Sequence, residues 1–211
     1  GYGHVKRMVA LARALRDREG IGSVFALNGT ADAAEPIRAA GFEAILIDRA
    51  RDAQMLGDII AARKPDLFLC DLRDGIGAGD VEKLKHEVAI TAVIDDGSDR
   101  RLAADVAYYP PVPQAHLLDW TSSDCVARIG WEWALLGLAK ARLKARPRSA
   151  RPTVLVTMGG SDPVGLTLRA AHALAKLDPV FRARFVIGPG MADGPRLAKR
   201  IASLAPHFET I

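Results

Sequence analysis

Apolar positions along the chain follow two periods: short unbroken runs that suit buried strands, and three- to four-residue spacings that suit helices. The first helical pattern puts Val5, Met8, Val9, Ala12 and Leu15 on one face and Lys6, Arg13, Arg16 and Asp17 on the other, and Gly20 ends it. Ser23 to Leu27 then reads as a strand, a helical stretch around Glu35 to Ala40 is closed by Gly41, and Phe42 to Ile47 reads as the next strand. Met55, Leu56, Ile59 and Ile60 predict a helix over Asp52 to Arg63, which Lys64-Pro65 ends before the strand Leu67 to Cys70. A loop containing Gly75, Gly77 and Gly79 leads to a helix near Asp80 to Glu87 and a strand over Ala89 to Ile94. Short apolar strands alternating with helices predict an α/β fold, with a parallel sheet covered on both faces in the Rossmann manner.

The regularity loosens from Arg100 to Pro113, where Val106 to Tyr109 runs into Pro110, Pro111 and Pro113, and a linker is expected. Trp131 to Leu136 leads into a basic helix reaching Arg146, and the stretch Pro147 to Pro152, rich in Pro, Ser and Arg, marks a domain boundary. Two Rossmann-like domains are therefore expected, over 1–146 and 152–211. The second opens with a strand over Thr153 to Met158, the turn Gly159-Gly160-Ser161-Asp162-Pro163 and a helix over Leu166 to Leu177. A strand at Phe185 to Ile187, the turn Gly188-Pro189-Gly190 and a helix from Pro195 to Leu204 follow. Gly1 sits at the kind of glycine turn that joins a strand to a helix, so an upstream strand is expected, and two or three strands do not close a doubly wound domain, so more are expected beyond Ile211.

Composition narrows the function classes. With 49% hydrophobic residues in 211, the chain can bury a sizeable core. It has neither an apolar run long enough to span a membrane nor a signal-peptide pattern, and a cytoplasmic protein is expected. Cys70 and Cys125 lie far apart without metal-ligand spacing, which predicts buried thiols and neither a disulfide nor a metal site. The net charge of +4 suits an anionic small molecule or an acidic membrane surface, and no dense Lys/Arg run interleaved with aromatics points to nucleic acid.

In open α/β sheets ligands bind beyond the carboxyl ends of the strands. Four segments fall there. The first is Gly1-Tyr2-Gly3-His4, whose glycines open a helix that presents unpaired N–H groups and partial positive charge to an anion. That positive end disfavours a second positive charge on His4 and favours the neutral imidazole that a general base must be. Arg7, one turn on, faces a carboxylate or phosphate. The plain alternative is that His4 packs or caps at a helix start. The second and third segments are Asp71-Leu72-Arg73-Asp74 and Asp95-Asp96-Gly97-Ser98, either of which can set a carboxylate beside a sugar hydroxyl or beside His4. Asp74 and Asp96 read as turn and cap residues, which leaves Asp71 and Asp95, at the strand ends, as the site candidates. The fourth is Gly159-Gly160-Ser161, where two glycines let the backbone approach a pyrophosphate and the Ser161 hydroxyl donates to it. Asp162 reads as the helix N-cap, with Pro163 at the first helical position. The phosphate-loop, dinucleotide and nucleophile-elbow signatures are all missing.

Gly1-x-Gly3-His4-x-x-Arg7-x-x-x-Leu11-Ala12, Ile94-Asp95-Asp96, Gly130-x-x-x-x-Leu135-Leu136, and Val156 to Pro163 with Leu166-Thr167 occur in an order that resembles the UDP-sugar hydrolase of the pseudaminic acid pathway and its relatives among spore coat polysaccharide glycosyltransferases. That family is similar in fold to GT-B glycosyltransferases, including the lipid II-forming N-acetylglucosaminyltransferase. The resemblance implies two Rossmann-like domains facing a cleft, no metal or other cofactor, and a UDP-linked sugar as substrate. It further implies that His4 activates a water at the anomeric carbon, with inversion and release of UDP. Gly3, Arg7, Asp71, Arg73 and Asp95 then line the sugar side, and Gly159, Gly160 and Ser161 face the diphosphate. Members of that family usually carry a tyrosine two positions after the residue matching Asp71, where this chain has Arg73. An inverting glycosyltransferase and a non-catalytic nucleotide-sugar-binding module are the alternatives.

Overall fold

The computed structural model describes residues 2–121, 123–136, 151–191 and 193–211. Its internal contacts divide the chain into two units, His4–Gly137 and Leu138–Ile211 with Gly1–Gly3. Both are α/β with parallel sheets. The expected basic helix to Arg146, and most of the boundary expected at Pro147 to Pro152, lie outside the described residues.

The larger unit runs α1 (Tyr2–Glu19), β1 (Val24–Leu27), α2 (Ala31–Ala39), β2 (Glu43–Leu46), α3 (Asp52–Arg63), β3 (Leu67–Cys70), α4 (Ala78–Lys85), β4 (Ile90–Ile94), α5 (Arg100–Ala103), β5 (Val106–Tyr109) and β6 (Val126–Ile129). One two-stranded sheet pairs β1 with β2, and a four-stranded sheet has the order β3-β4-β5-β6, all parallel. The α1 stripe lands where its periodicity puts it: Val5, Val9 and Ala12 are buried with Ile37, Ala40 and Phe42, against Phe25 and Leu27 of β1. A second core gathers Leu56 and Ile60 of α3, Val81 and Leu84 of α4, and Cys70, Val93, Ala107 and Tyr109 of the four-stranded sheet. α3 keeps its predicted bounds because Lys64 adopts a left-handed conformation (φ 46°) and its N–H closes on the Ile60 carbonyl at 2.7 Å.

The segment expected to be a linker contains β5. Val106 pairs with Ala92 on one side and Val126 on the other, and Ala107 and Tyr109 are buried. The crossover into it, α5, is a single helical turn, too short to show a helical period, and β6, at the edge of the sheet, alternates exposed positions (Val126, Arg128) with half-buried ones (Ala127, Ile129).

The smaller unit runs β7 (Thr153–Val156), α6 (Leu166–Leu174), β8 (Arg182–Phe185), α7 (Gly194–Ala202) and β9 (Phe208–Thr210), with the parallel order β7-β8-β9. Its core joins Val156, Ala171, Phe181, Ala183, Phe185, Ile201 and Phe208. β8 starts earlier than the apolar run Phe185 to Ile187 suggests. Its Ala183 and Phe185 point inward while Arg182 and Arg184 point out, and Arg184 meets its registered neighbour Glu209 at 3.0 Å.

Candidate functional site

Four of the expected residues, His4, Arg7, Asp71 and Asp95, meet at the carboxyl edge of β3 and β4. Asp71 leaves the end of β3, Asp95 leaves the end of β4, and both meet side chains from the first two turns of α1. The helix already includes Tyr2, so His4 sits within its first turn and not ahead of it. His4 Nδ1 lies 2.6 Å from Asp71 Oδ1. Arg7, three residues on and therefore on the same helix face, donates Nε to Asp71 Oδ2 at 2.6 Å and Nη2 to Asp71 Oδ1, and reaches Asp95 Oδ2 through Nη1 at 3.2 Å. Asp95 takes the left-handed conformation (φ 53°), which an aspartate tolerates better than most residues.

Asp71 is the hub. Its side chain is 4% exposed, against 22% for Arg7 and 26% for His4. Burial pushes its carboxyl up, but the hydrogen bonds from Arg7 and His4 and the charge of Arg7 outweigh burial and hold it below the ordinary carboxylate range. An ionised carboxylate only accepts, so His4 Nδ1 must carry the proton that bridges the two. In the neutral ring Nε2 is then the nitrogen with the free lone pair, and it makes no hydrogen bond among the described residues. The contact of 3.3 Å between Arg7 Nη2 and His4 Nδ1 therefore sets two donors side by side, both directed at the same carboxylate. The arrangement is a histidine held by an acid, with its second nitrogen able to take a proton.

The remaining expected residues fall in different places. Gly3 lies in the first turn of α1, where a Cβ would meet nothing within 4 Å. Arg73 is exposed, its side chain makes no hydrogen bond or ion pair with the described residues, and its carbonyl accepts from Arg100 Nη2 at 3.3 Å. Asp74 forms an exposed pair with Arg49 at 2.6 Å. Asp96, which reads from sequence as a turn residue, does accept from Ser98 N at 2.8 Å, but its second oxygen is buried against Arg100 Nε at 2.7 Å. The signal that could have revealed this pair is an acid and a base four residues apart.

In the smaller unit the Gly159-Gly160-Ser161 turn follows β7, and Gly159 has φ 76°, a backbone that favours glycine. The turn leans on Gly188-Pro189-Gly190, to which the sequence alone assigns no role. Gly190 N donates to Gly160 O at 2.8 Å, and a Cβ at Gly188 would come within 2.5 Å of that same oxygen. No hydrogen bond among the described residues engages the N–H groups of Gly160 or Ser161 or the Ser161 hydroxyl. Asp162 does cap α6, though from further back than expected: the helix starts at Leu166, so Pro163 is not its first residue. The Asp162 carboxylate accepts from the N–H groups of Leu166 and Thr167, each at 2.8 Å.

Two surface depressions lie elsewhere. One of about 360 Å³ is lined by Arg151, Arg182, His207 and Glu209 near the amino ends of β7 to β9, and one of about 620 Å³ by Lys64, Asp66, His86 and Glu87 near the amino ends of β3 and β4. Among the described residues no group of His, Cys, Asp and Glu side chains is arranged to hold a metal ion, and no helix is long and apolar enough to cross a membrane. No protein-family model matches this chain, and no curated protein is significantly similar to it.

Proposed function

We propose that this protein cleaves a nucleotide-activated sugar, UDP-linked by the resemblance of its motifs, through direct displacement at the anomeric carbon. One observation carries the reading: His4 Nδ1 lies 2.6 Å from a buried Asp71, which leaves Nε2 as the proton acceptor. In the proposed step a water oxygen attacks the anomeric carbon and its proton passes to Nε2. The bond from that carbon to the diphosphate oxygen breaks, and its electron pair leaves with UDP. The resulting imidazolium faces the Asp71 carboxylate, a charge pairing that the step itself creates and that favours the transition state over the ground state. The role proposed for the smaller unit is diphosphate binding at the Gly160 and Ser161 N–H groups and the Ser161 hydroxyl.

A second reading has an acceptor hydroxyl in place of water, making the protein an inverting glycosyltransferase in a GT-B fold. What favours it is Arg73, an exposed guanidinium without a partner among the described residues, where the resembling hydrolases usually carry tyrosine. Incubation with a panel of UDP-sugars, without and with polyol or glycan acceptors, separates the two. Equal amounts of free sugar and UDP without acceptor support hydrolysis, and UDP release that requires an acceptor supports transfer. Failure to release UDP from any donor in either condition overturns both.

A further inference from the structure

Asp71 and Asp95 can both be bridged by one arginine only if the loops that carry them keep a fixed separation. Those loops follow different strands and neither has regular structure. One buried cation ties them together. Arg100, whose side chain is 5% exposed, donates Nε to Asp96 Oδ2 at 2.7 Å on the loop after β4. On the loop after β3 it donates Nη1 to the Ile76 carbonyl at 3.0 Å and Nη2 to the carbonyls of Leu72 and Arg73 at 3.0 and 3.3 Å. Asp96 is itself fixed: its other oxygen accepts from Ser98 N at 2.8 Å and Ser98 Oγ at 2.6 Å, and its carbonyl accepts from the Tyr109 hydroxyl at 2.6 Å. The adjacent acids divide the work. The left-handed Asp95, 43% exposed at its side chain, meets Arg7, while Asp96, 1% exposed, turns inward to Arg100.

We propose that the Arg100–Asp96 pair is a positioning pair for the His4 site: by clamping the two loops it sets the place of Asp71, and through Asp71 the tautomer and orientation of the imidazole. A buried ion pair adds little net stability compared with apolar packing, so one whose two terminal nitrogens both reach loop carbonyls fits a role in holding geometry. Its functional meaning rests on the reading of His4 as the base, but the geometric part is tested without substrate.

The test uses the full chain with Arg100→Lys, which keeps the charge and loses the fork, and Asp96→Asn, which keeps the shape and loses the charge. Three readouts are taken: thermal unfolding, hydrogen exchange of the His4 Nδ1 proton in ¹⁵N-labelled protein, assigned by its loss in His4→Gln, and kcat and KM with whichever UDP-sugar the wild type turns over. The expected result is folded variants in which the Nδ1 proton exchanges at least about tenfold faster and kcat falls by about ten- to a hundredfold while KM stays within about threefold, the size of effect that small misplacement of a reacting group produces. Tyr109→Phe, which removes one tie to the Asp96 carbonyl, is expected to move both readouts in the same direction by less. Folded variants with wild-type exchange at Nδ1 overturn the proposal. So does failure of both substitutions to fold, since the pair is then a determinant of the fold. If the wild type turns over no UDP-sugar but the exchange response is present, the functional reading falls and the positioning pair stands.

Discussion

Asp71→Asn changes one oxygen to an amide nitrogen at the centre of the site, where every neighbouring group is a donor. Asp71 accepts from His4 Nδ1 and Arg7 Nε, each at 2.6 Å, and from Arg7 Nη2. With its nitrogen in the Oδ2 place, the amide points a donor at Arg7 Nε–H, and arginine cannot give up its proton. With its nitrogen in the Oδ1 place, it opposes Arg7 Nη2 and turns His4 into an acceptor at Nδ1, moving the ring proton to Nε2 and abolishing the base. Either way at least one charge-assisted bond to a 4%-exposed side chain is lost, about 2–3 kcal/mol, which at roughly 2–4 °C per kcal/mol for a chain of this size lowers Tm by about 5–10 °C at pH 7. Turnover falls by about 10²–10⁴-fold, the range for a histidine base deprived of its ionised partner. The sign with pH comes from the depressed carboxyl. Stability from Asp71 is fully present above the unfolded-state value of about 3.9 and is lost as pH falls through the lower folded-state value, so the wild-type and variant melting curves start to approach each other below about pH 4. Differential scanning calorimetry from pH 7 to pH 3 checks this. A variant melting within about 1 °C of wild type at pH 7, or an offset that persists unchanged to pH 3, refutes the reasoning.

Two further outcomes follow, one in each unit. Burial pushes the thiol of Cys70 up to about 12 and that of Cys125 up to about 11, so neither is alkylated by iodoacetamide in native protein at pH 8 while free cysteine is consumed, and both react after unfolding, as mass spectrometry will show. Gly188→Ala places a methyl 2.5 Å from the Gly160 carbonyl oxygen and 2.7 Å from that of Gly159; the two turns must separate, costing about 1–3 kcal/mol in denaturant melts and weakening UDP binding in calorimetry.

The parts of the fold that are legible in the sequence are those with whole periods. The apolar stripe of α1, the four-apolar pattern of α3 and the run Leu67 to Cys70 each complete enough turns or alternations to stand out, and the structure places them as read. β5 is not legible, because α5 before it is one turn long and the prolines after it resemble a linker. β8 is misplaced by its apolar run because its outward positions are arginines, so the alternation R-A-R-F shows only two apolar residues. In the site, Asp71 and Asp95 emerge from the rule that strand ends carry the chemistry. That Asp71 holds both His4 and Arg7 does not emerge, because the pairing spans 67 and 64 residues and depends on how the sheet is assembled. Arg100 escapes a sequence reading for a related reason: its partners on the other loop are main-chain carbonyls, which leave no trace in residue type.

In the proposed reaction His4 Nε2 takes the proton of the attacking water. The most direct test of this role is kcat for His4→Ala on the UDP-sugar that the wild type turns over, with UDP affinity measured alongside. The account predicts a loss of about 10²–10⁴-fold in kcat with UDP affinity within about threefold of wild type. A variant that keeps kcat within about threefold of wild type contradicts it.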